Sequence, residues 1–187
     1  MGKRWLSFDL DGTLMQNPFV SAVFPEIYDL INQQLVEPID VTSLLVKKHL
    51  KRRNAGKFFE AYDWDNVVAE LIDDLNLSLK INVTEIVKKH CVTPHILLLE
   101  DSIVESLISL KEKGYSLAAV TNGFLKYQYP VMEALNIKQL FEKVITPETC
   151  KTAKPDLLML QTLDEEGEVI AHIGDRIDHD IVLANRF

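Results

Sequence analysis

Two kinds of hydrophobic spacing divide the chain. Trp5-Leu6-Ser7-Phe8-Asp9-Leu10 is a short apolar run, too brief for a helix and closed by Gly12, which is the pattern of a buried strand. From about residue 18 to 92 the spacing becomes helical. Trp64, Val67, Val68, Leu71, Ile72 and Leu75 fall at i, i+3, i+4 and i+7, one face of a helix. Phe24, Ile27, Tyr28 and Ile31 predict another helix, Leu44 to Leu50 a third and Val83 to Val87 a fourth. Pro18, Pro38 and Pro94 punctuate this region, and no strand pattern is seen within it.

After Pro94 the two patterns alternate. Ile103, Leu107, Ile108 and Leu110 mark a helix ending at Gly114, and "YSLAAVTNG" is a buried strand followed by a helix over about 125–135. "EKVITP" reads as a third strand, "KPDLLMLQTL" as a helix with proline in its first turn, and "EVIAHIGD" as a fourth strand. Strands separated by helices imply right-handed crossovers and a parallel sheet, so the expected fold class is α/β with a Rossmann-like core. The helical block is too long for a crossover. It is expected to be an inserted α-helical domain, residues 17–93, with the core formed by 1–16 and 94–187.

Composition narrows the function classes. At 187 residues, 47% hydrophobic and 26% charged, the chain can bury one good core. Its formal charge of −8 disfavours nucleic acid and anionic membranes as partners. No run approaches 18 apolar residues, so no membrane span is expected. Cys91 and Cys150 lie far apart without metal-ligand spacing, and the N-terminus lacks a cleavable apolar stretch. Reduced thiols and a cytoplasmic location are the expectation.

Candidate chemistry sits at the strand ends, where open α/β sheets bind their ligands. The first end carries Asp9 and Asp11, the second Thr121, Asn122 and Gly123. The loop after the third reaches Lys154-Pro155, and the fourth carries Gly174-Asp175 with Asp180 close behind. Residues two apart on an extended segment lie about 6.6 Å apart on one side. That spacing lets Asp9 attack phosphorus while Asp11 reaches the leaving oxygen. The acyl phosphate so formed is readily hydrolysed. Clustered carboxylates suit a hard cation such as Mg²⁺. The Thr121 hydroxyl and the N–H groups of the following turn suit phosphate oxygens, and Lys154 adds fixed positive charge.

Singly, each motif has a plainer explanation: Asp-x-Asp is commonly a turn, and "KPD" commonly a helix start. The four in order, "DLDGT", "VTNG", "KPD" and "GDRIDHD", resemble the signatures of the haloacid dehalogenase-like superfamily, whose commonest members are Mg²⁺-dependent phosphatases. The resemblance implies Asp9 as nucleophile, Asp11 as general acid/base, Thr121 as phosphate ligand and Lys154 as the neutralising cation. It implies Mg²⁺ held by Asp9, Asp11 (through its backbone carbonyl) and Asp175, supported by Asp180. The helical insert would be the cap many relatives place after the first strand. The expected activity is hydrolysis of a small phosphorylated metabolite through an aspartyl-phosphate, with a phosphomutase or a silent phospholigand-binding relative as alternatives. Dehalogenases lack an acid equivalent to Asp11 and are disfavoured.

Other features are expected to be structural. His172 lies within the fourth strand and is expected to be a packed core residue, while Asp178 is a solvated neighbour. "KKHLKRR" (47–53) reads as a solvated helix face, with steering of an anionic substrate as the sharper alternative. Only seven residues follow Asp180, where relatives usually continue through a helix and at least one further strand; the expectation is either a protein that ends early or a truncated sequence, and a missing edge strand would cost stability before chemistry.

Overall fold

A computed structural model describes residues 2–187. The chain begins with β1 (Lys3–Phe8), turns, and forms β2 (Met15–Gln16). One π-type helical turn at Phe19–Val23 leads into α1 (Phe24–Asn32), α2 (Val41–Asn54), α3 (Phe58–Tyr62), α4 (Trp64–Asp74) and α5 (Val83–Lys89). Then follow β3 (Leu97–Leu98), α6 (Ile103–Glu112), β4 (Ser116–Val120), α7 (Leu125–Ala134), β5 (Lys143–Ile145), α8 (Pro147–Cys150), α9 (Leu158–Asp164), β6 (Gly167–Ile173) and α10 (Val182–Arg186).

Four strands form one parallel sheet in the order β5-β4-β1-β6. Buried β1 sits between β4 and β6, with Phe8 in register beside Ala119 and Ile173. The ladder continues into the loops: the Asp9 N–H donates to the Ile173 carbonyl (2.8 Å) and the Thr121 N–H to that of Ile145 (3.0 Å). The carboxyl ends of all four strands therefore open onto one edge.

The α/β expectation holds, with differences of detail. β2 and β3 pair antiparallel at the two ends of the helical insert. Two-residue strands carry no readable period, so the pattern did not reveal them. α9 starts at Leu158 rather than at Pro155, because the Asp156 carboxylate accepts the Leu158 N–H (3.0 Å) and the Thr152 hydroxyl (3.0 Å) in a turn ahead of the helix. α3 was also not foreseen, being barely more than one turn. β6 forms one edge of the sheet, and Ile170 and Ile173 on it are exposed.

The insert shares its core with the sheet. One hydrophobic cluster runs from Ile27, Leu45, Val68 and Val87 of the insert to Leu6, Leu117 and Val131 of the α/β part. A second, comprising Trp5, Val120, Ile145, Met159, Leu160 and Leu183, is built from the strands, α9 and α10. A polar clasp reinforces the junction. The buried Tyr127 hydroxyl on α7 accepts the Asp65 N–H (2.9 Å) and donates to the Asp65 carboxylate (3.0 Å), which also takes the Val83 N–H (2.7 Å). Tyr127→Phe leaves these groups without their partner, and should lower stability by about 1–3 kcal/mol. Denaturant unfolding should detect that loss as a single transition covering insert and sheet. Two separate transitions, or no loss, would contradict the shared core.

Candidate active site

The first turn brings the opening aspartates into place. After β1 the Leu10 carbonyl accepts the N–H groups of Leu14 and Met15 (2.9 Å each), reversing the chain. Gly12 takes a φ of 85°, and a Cβ there would come within 2.7 Å of Asp175 Oδ2. Only glycine satisfies both conditions, which ties the first motif to the fourth.

At the centre lies Lys154. Its buried ammonium is 2.7 Å from Asp9 Oδ1 and 2.6 Å from Asp180 Oδ1. The Asn122 side chain holds the Lys154 backbone from both sides: Oδ1 accepts its N–H (2.7 Å), and Nδ2 donates to its carbonyl (3.3 Å). Asn122 Nδ2 also donates to the Tyr62 hydroxyl of the insert (3.0 Å).

Burial pushes Asp9 up to about 6, with the charge of Asp180 adding to the rise and Lys154 opposing it. Burial also raises Asp11, against hydrogen bonds from Gln128 and Asn17. Burial acts on Asp180 the same way, but hydrogen bonds from His172 and Lys154 and the lysine charge outweigh it and hold that carboxyl below the usual range. Asp9, Asp175 and Asp180 offer oxygens that all lie within 4.8 Å of one another. These are hard ligands with more negative charge than Lys154 alone can balance, and that donor set fits a divalent cation such as Mg²⁺. The Asp11 side chain stands outside this cluster.

Several contributors had no sequence signal. Gln128, buried on α7, donates from Nε2 to Asp11 Oδ2 (2.6 Å) and to Thr121 Oγ1 (3.0 Å). His172 does have a fully buried side chain, as expected, but it is no inert core residue. Its Nε2 is 3.0 Å from Asp180 Oδ1 and its Nδ1 is 2.9 Å from the Ser7 hydroxyl. Asp178 is exposed and pairs with Arg176 (2.9 Å). The 47–53 segment divides by helix face: Lys48 and Arg52 pair with Glu70 on α4, whereas His49 and Arg53 line the pocket. Arg53 donates to His179 Nε2 (2.8 Å). His179 can accept because burial and the neighbouring Arg176 lower it to about 4, leaving it neutral.

These groups line a pocket of about 550 Å³ that contains Asp9, Asp11, Thr121, Asn122, Gly123, Lys154 and Asp175. Phe19, Phe24, His49, Arg53, Tyr62 and Trp64 of the insert complete it.

The fold and this strand-end constellation define a hydrolase class, and residues 4–187 match the description "haloacid dehalogenase-like hydrolase": the chain belongs to that family. It is 29% identical over 188 residues to a glyceraldehyde 3-phosphate phosphatase of Methanocaldococcus jannaschii, covering 95% of this chain and 78% of the relative. A phosphoglycolate phosphatase of Colwellia psychrerythraea is 27% identical over 92% of this chain and 76% of its own length. Among solved structures, a HAD phosphatase from Thermococcus onnurineus superimposes with a TM-score of 0.77 at 22% identity, covering 98% of this chain and 82% of that one.

The raised Asp9 predicts a stability signature. Asparagine mimics the protonated carboxyl, so in chelator Asp9→Asn should be the more stable protein at pH 7.5. A carboxyl raised from 3.8 to about 6 costs on the order of 3 kcal/mol when ionised. As pH falls from about 6 to 4 the folded wild type takes up the proton before the unfolded chain does, so the difference should close. Thermal melts at both pH values, with an equal or reversed difference, would refute it.

Proposed function

We propose that this hydrolase is a Mg²⁺-dependent phosphatase acting on a small phosphate monoester through an aspartyl-phosphate on Asp9. The observation that carries the reading is the buried Asp9 carboxylate, one oxygen held by Lys154 at 2.7 Å, beside Asp175 and Asp180. A carboxylate so held has one oxygen committed and one free to attack. The relatives named as phosphatases of glyceraldehyde 3-phosphate and phosphoglycolate point to the same chemistry and to substrates of a few carbons.

Each residue has a defined task. The free oxygen of Asp9 forms a bond to phosphorus as the ester P–O bond breaks, and the departing oxygen takes its proton from Asp11. Asp11, now a carboxylate, removes a proton from a water that attacks the same phosphorus. The bond to Asp9 breaks, releasing inorganic phosphate and restoring both carboxyls. The Thr121 hydroxyl orients a phosphate oxygen, and Lys154 offsets the charge on Asp9 and the phosphate. Asp9, Asp175, the Asp11 carbonyl and, from behind, Asp180 would hold Mg²⁺, which would supply charge neutralisation at the phosphate.

The insert, residues 17–93, serves as the cap. A pocket of about 550 Å³ shared between insert and strand ends suits a compact metabolite and excludes a folded phosphoprotein. The free Cys91 and Cys150 and the net charge of −8 support a cytoplasmic enzyme that binds neither nucleic acid nor membrane.

Phosphate release should be measured over glycolate, triose, sugar and nucleotide phosphates. Turnover should vanish in chelator and return with Mg²⁺; full activity without metal refutes the cation. Formation of an isomeric ester in place of free phosphate would make the protein a mutase instead. Asp9→Asn should abolish turnover and covalent labelling. Asp11→Asn should slow alkyl phosphates by ~10²–10⁴-fold but spare the first step with p-nitrophenyl phosphate, so that phosphoenzyme accumulates. Equal slowing of both esters without accumulation would overturn the division of roles between the two aspartates.

A further inference from the structure

We propose that Gln128 is a positioning residue that sets two protons of the reaction: it aims the Asp11 carboxyl at the leaving group and forces the Thr121 hydroxyl to donate toward phosphate. This proposal rests on the phosphatase reading above. Gln128 lies on α7, outside the four sequence motifs, and is buried in the pocket wall.

The argument is a count of donors and acceptors. The amide nitrogen of Gln128 faces Asp11, so Oδ2 accepts both when the carboxyl is ionised and when its proton sits on Oδ1. The two amide hydrogens go to Asp11 Oδ2 at 2.6 Å and Thr121 Oγ1 at 3.0 Å. Thr121 Oγ1 also accepts the Gly123 N–H at 3.1 Å. A hydroxyl has two lone pairs and one hydrogen. With both lone pairs engaged, the Thr121 hydrogen can only be donated elsewhere, and Thr121 lines the pocket.

The same amide leaves Asp11 asymmetric. Oδ2 is committed to Gln128, whereas Oδ1 is out of bulk solvent with no hydrogen bond of good geometry, the Asn17 side chain lying beside the carboxyl. A buried acceptor without a partner is costly unless something fills it during function. The oxygen free to give and take the proton is therefore Oδ1, and Gln128 determines which way it points.

Gly123 supports the assignment independently. It needs no unusual φ, but a Cβ built there would overlap Gln128 Nε2 and crowd its Cδ at 2.8 Å. The glycine of "VTNG" thus leaves space for the Gln128 amide, a role distinct from the phosphate contact expected of it.

The test compares wild type with Gln128→Met, which keeps the length and removes both donors, and with Gly123→Ala, which displaces the amide while retaining it. Assays use an alkyl phosphate, p-nitrophenyl phosphate and inorganic phosphate as competitive inhibitor, with folding checked by circular dichroism. Each variant should lose on the order of 10- to 100-fold in kcat on the alkyl ester, the scale of a misplaced catalytic group, and less on the aryl ester. The inhibition constant of inorganic phosphate should rise in both. The double variant should be no worse than the poorer single one, since both act through one amide.

A merely structural residue would depress both esters equally and leave phosphate inhibition unchanged. That result, or losses that multiply in the double variant, overturns the proposal. If Gln128→Met fails to fold, Gly123→Ala carries the comparison alone. A wild-type protein that releases no phosphate from any ester refutes the phosphatase reading itself; an active wild type with indifferent variants refutes only the role of Gln128.

Discussion

A single ammonium shared between two buried carboxylates organises the molecule. Lys154 lies between Asp9, which follows β1, and Asp180, which follows β6, while Asn122 after β4 fixes the lysine backbone. Three strand ends thus converge on one cation. Burying such groups costs more than their attraction returns unless the remaining hydrogen-bonding positions are filled. Here they are filled: His172 and the Arg176 N–H complete Asp180, and Ser7 on β1 orients His172. The parallel register of β1 and β6 makes this possible, since Ser7 pairs with His172 in the ladder itself.

Compensation is deliberately incomplete at one place. Asp180 is held ionised by its donors, whereas Asp9 is driven toward its neutral form by burial and by Asp180. The two carboxyls touching the same lysine are pushed in opposite directions. Such separation is typical of residues that react beside residues that support them. The oxygens of Asp9, Asp175 and Asp180 within 4.8 Å of one another are the physical ground for the proposed cation.

The helical segment between β2 and β3 contacts this centre directly. Tyr62 receives a hydrogen bond from Asn122, and Arg53 donates to His179, which follows β6. His49 stacks on Trp64 at the pocket. The basic segment on α2 thereby serves two ends: one face pairs with α4, the other supplies the pocket with a cation and an imidazole.

Sequence alone determined what depends on local order. Strand and helix periods, the α/β class and the strand-end motifs with Asp9, Asp11, Thr121, Lys154, Asp175 and Asp180 are all legible, because each relies on neighbours along the chain. Gln128 and His172 were not, because a polar residue in a helix or strand gains meaning only from what lies across from it. Asn122 and Gly123 were legible as site residues, but their tasks were not. The hydrogen-bond partners of Asn122 come from Lys154 and Tyr62, far away in sequence, and Gly123 is small because Gln128 occupies the space a side chain would need. Hydrogen bonds and steric exclusion are decided by three-dimensional proximity, which only the tertiary structure supplies.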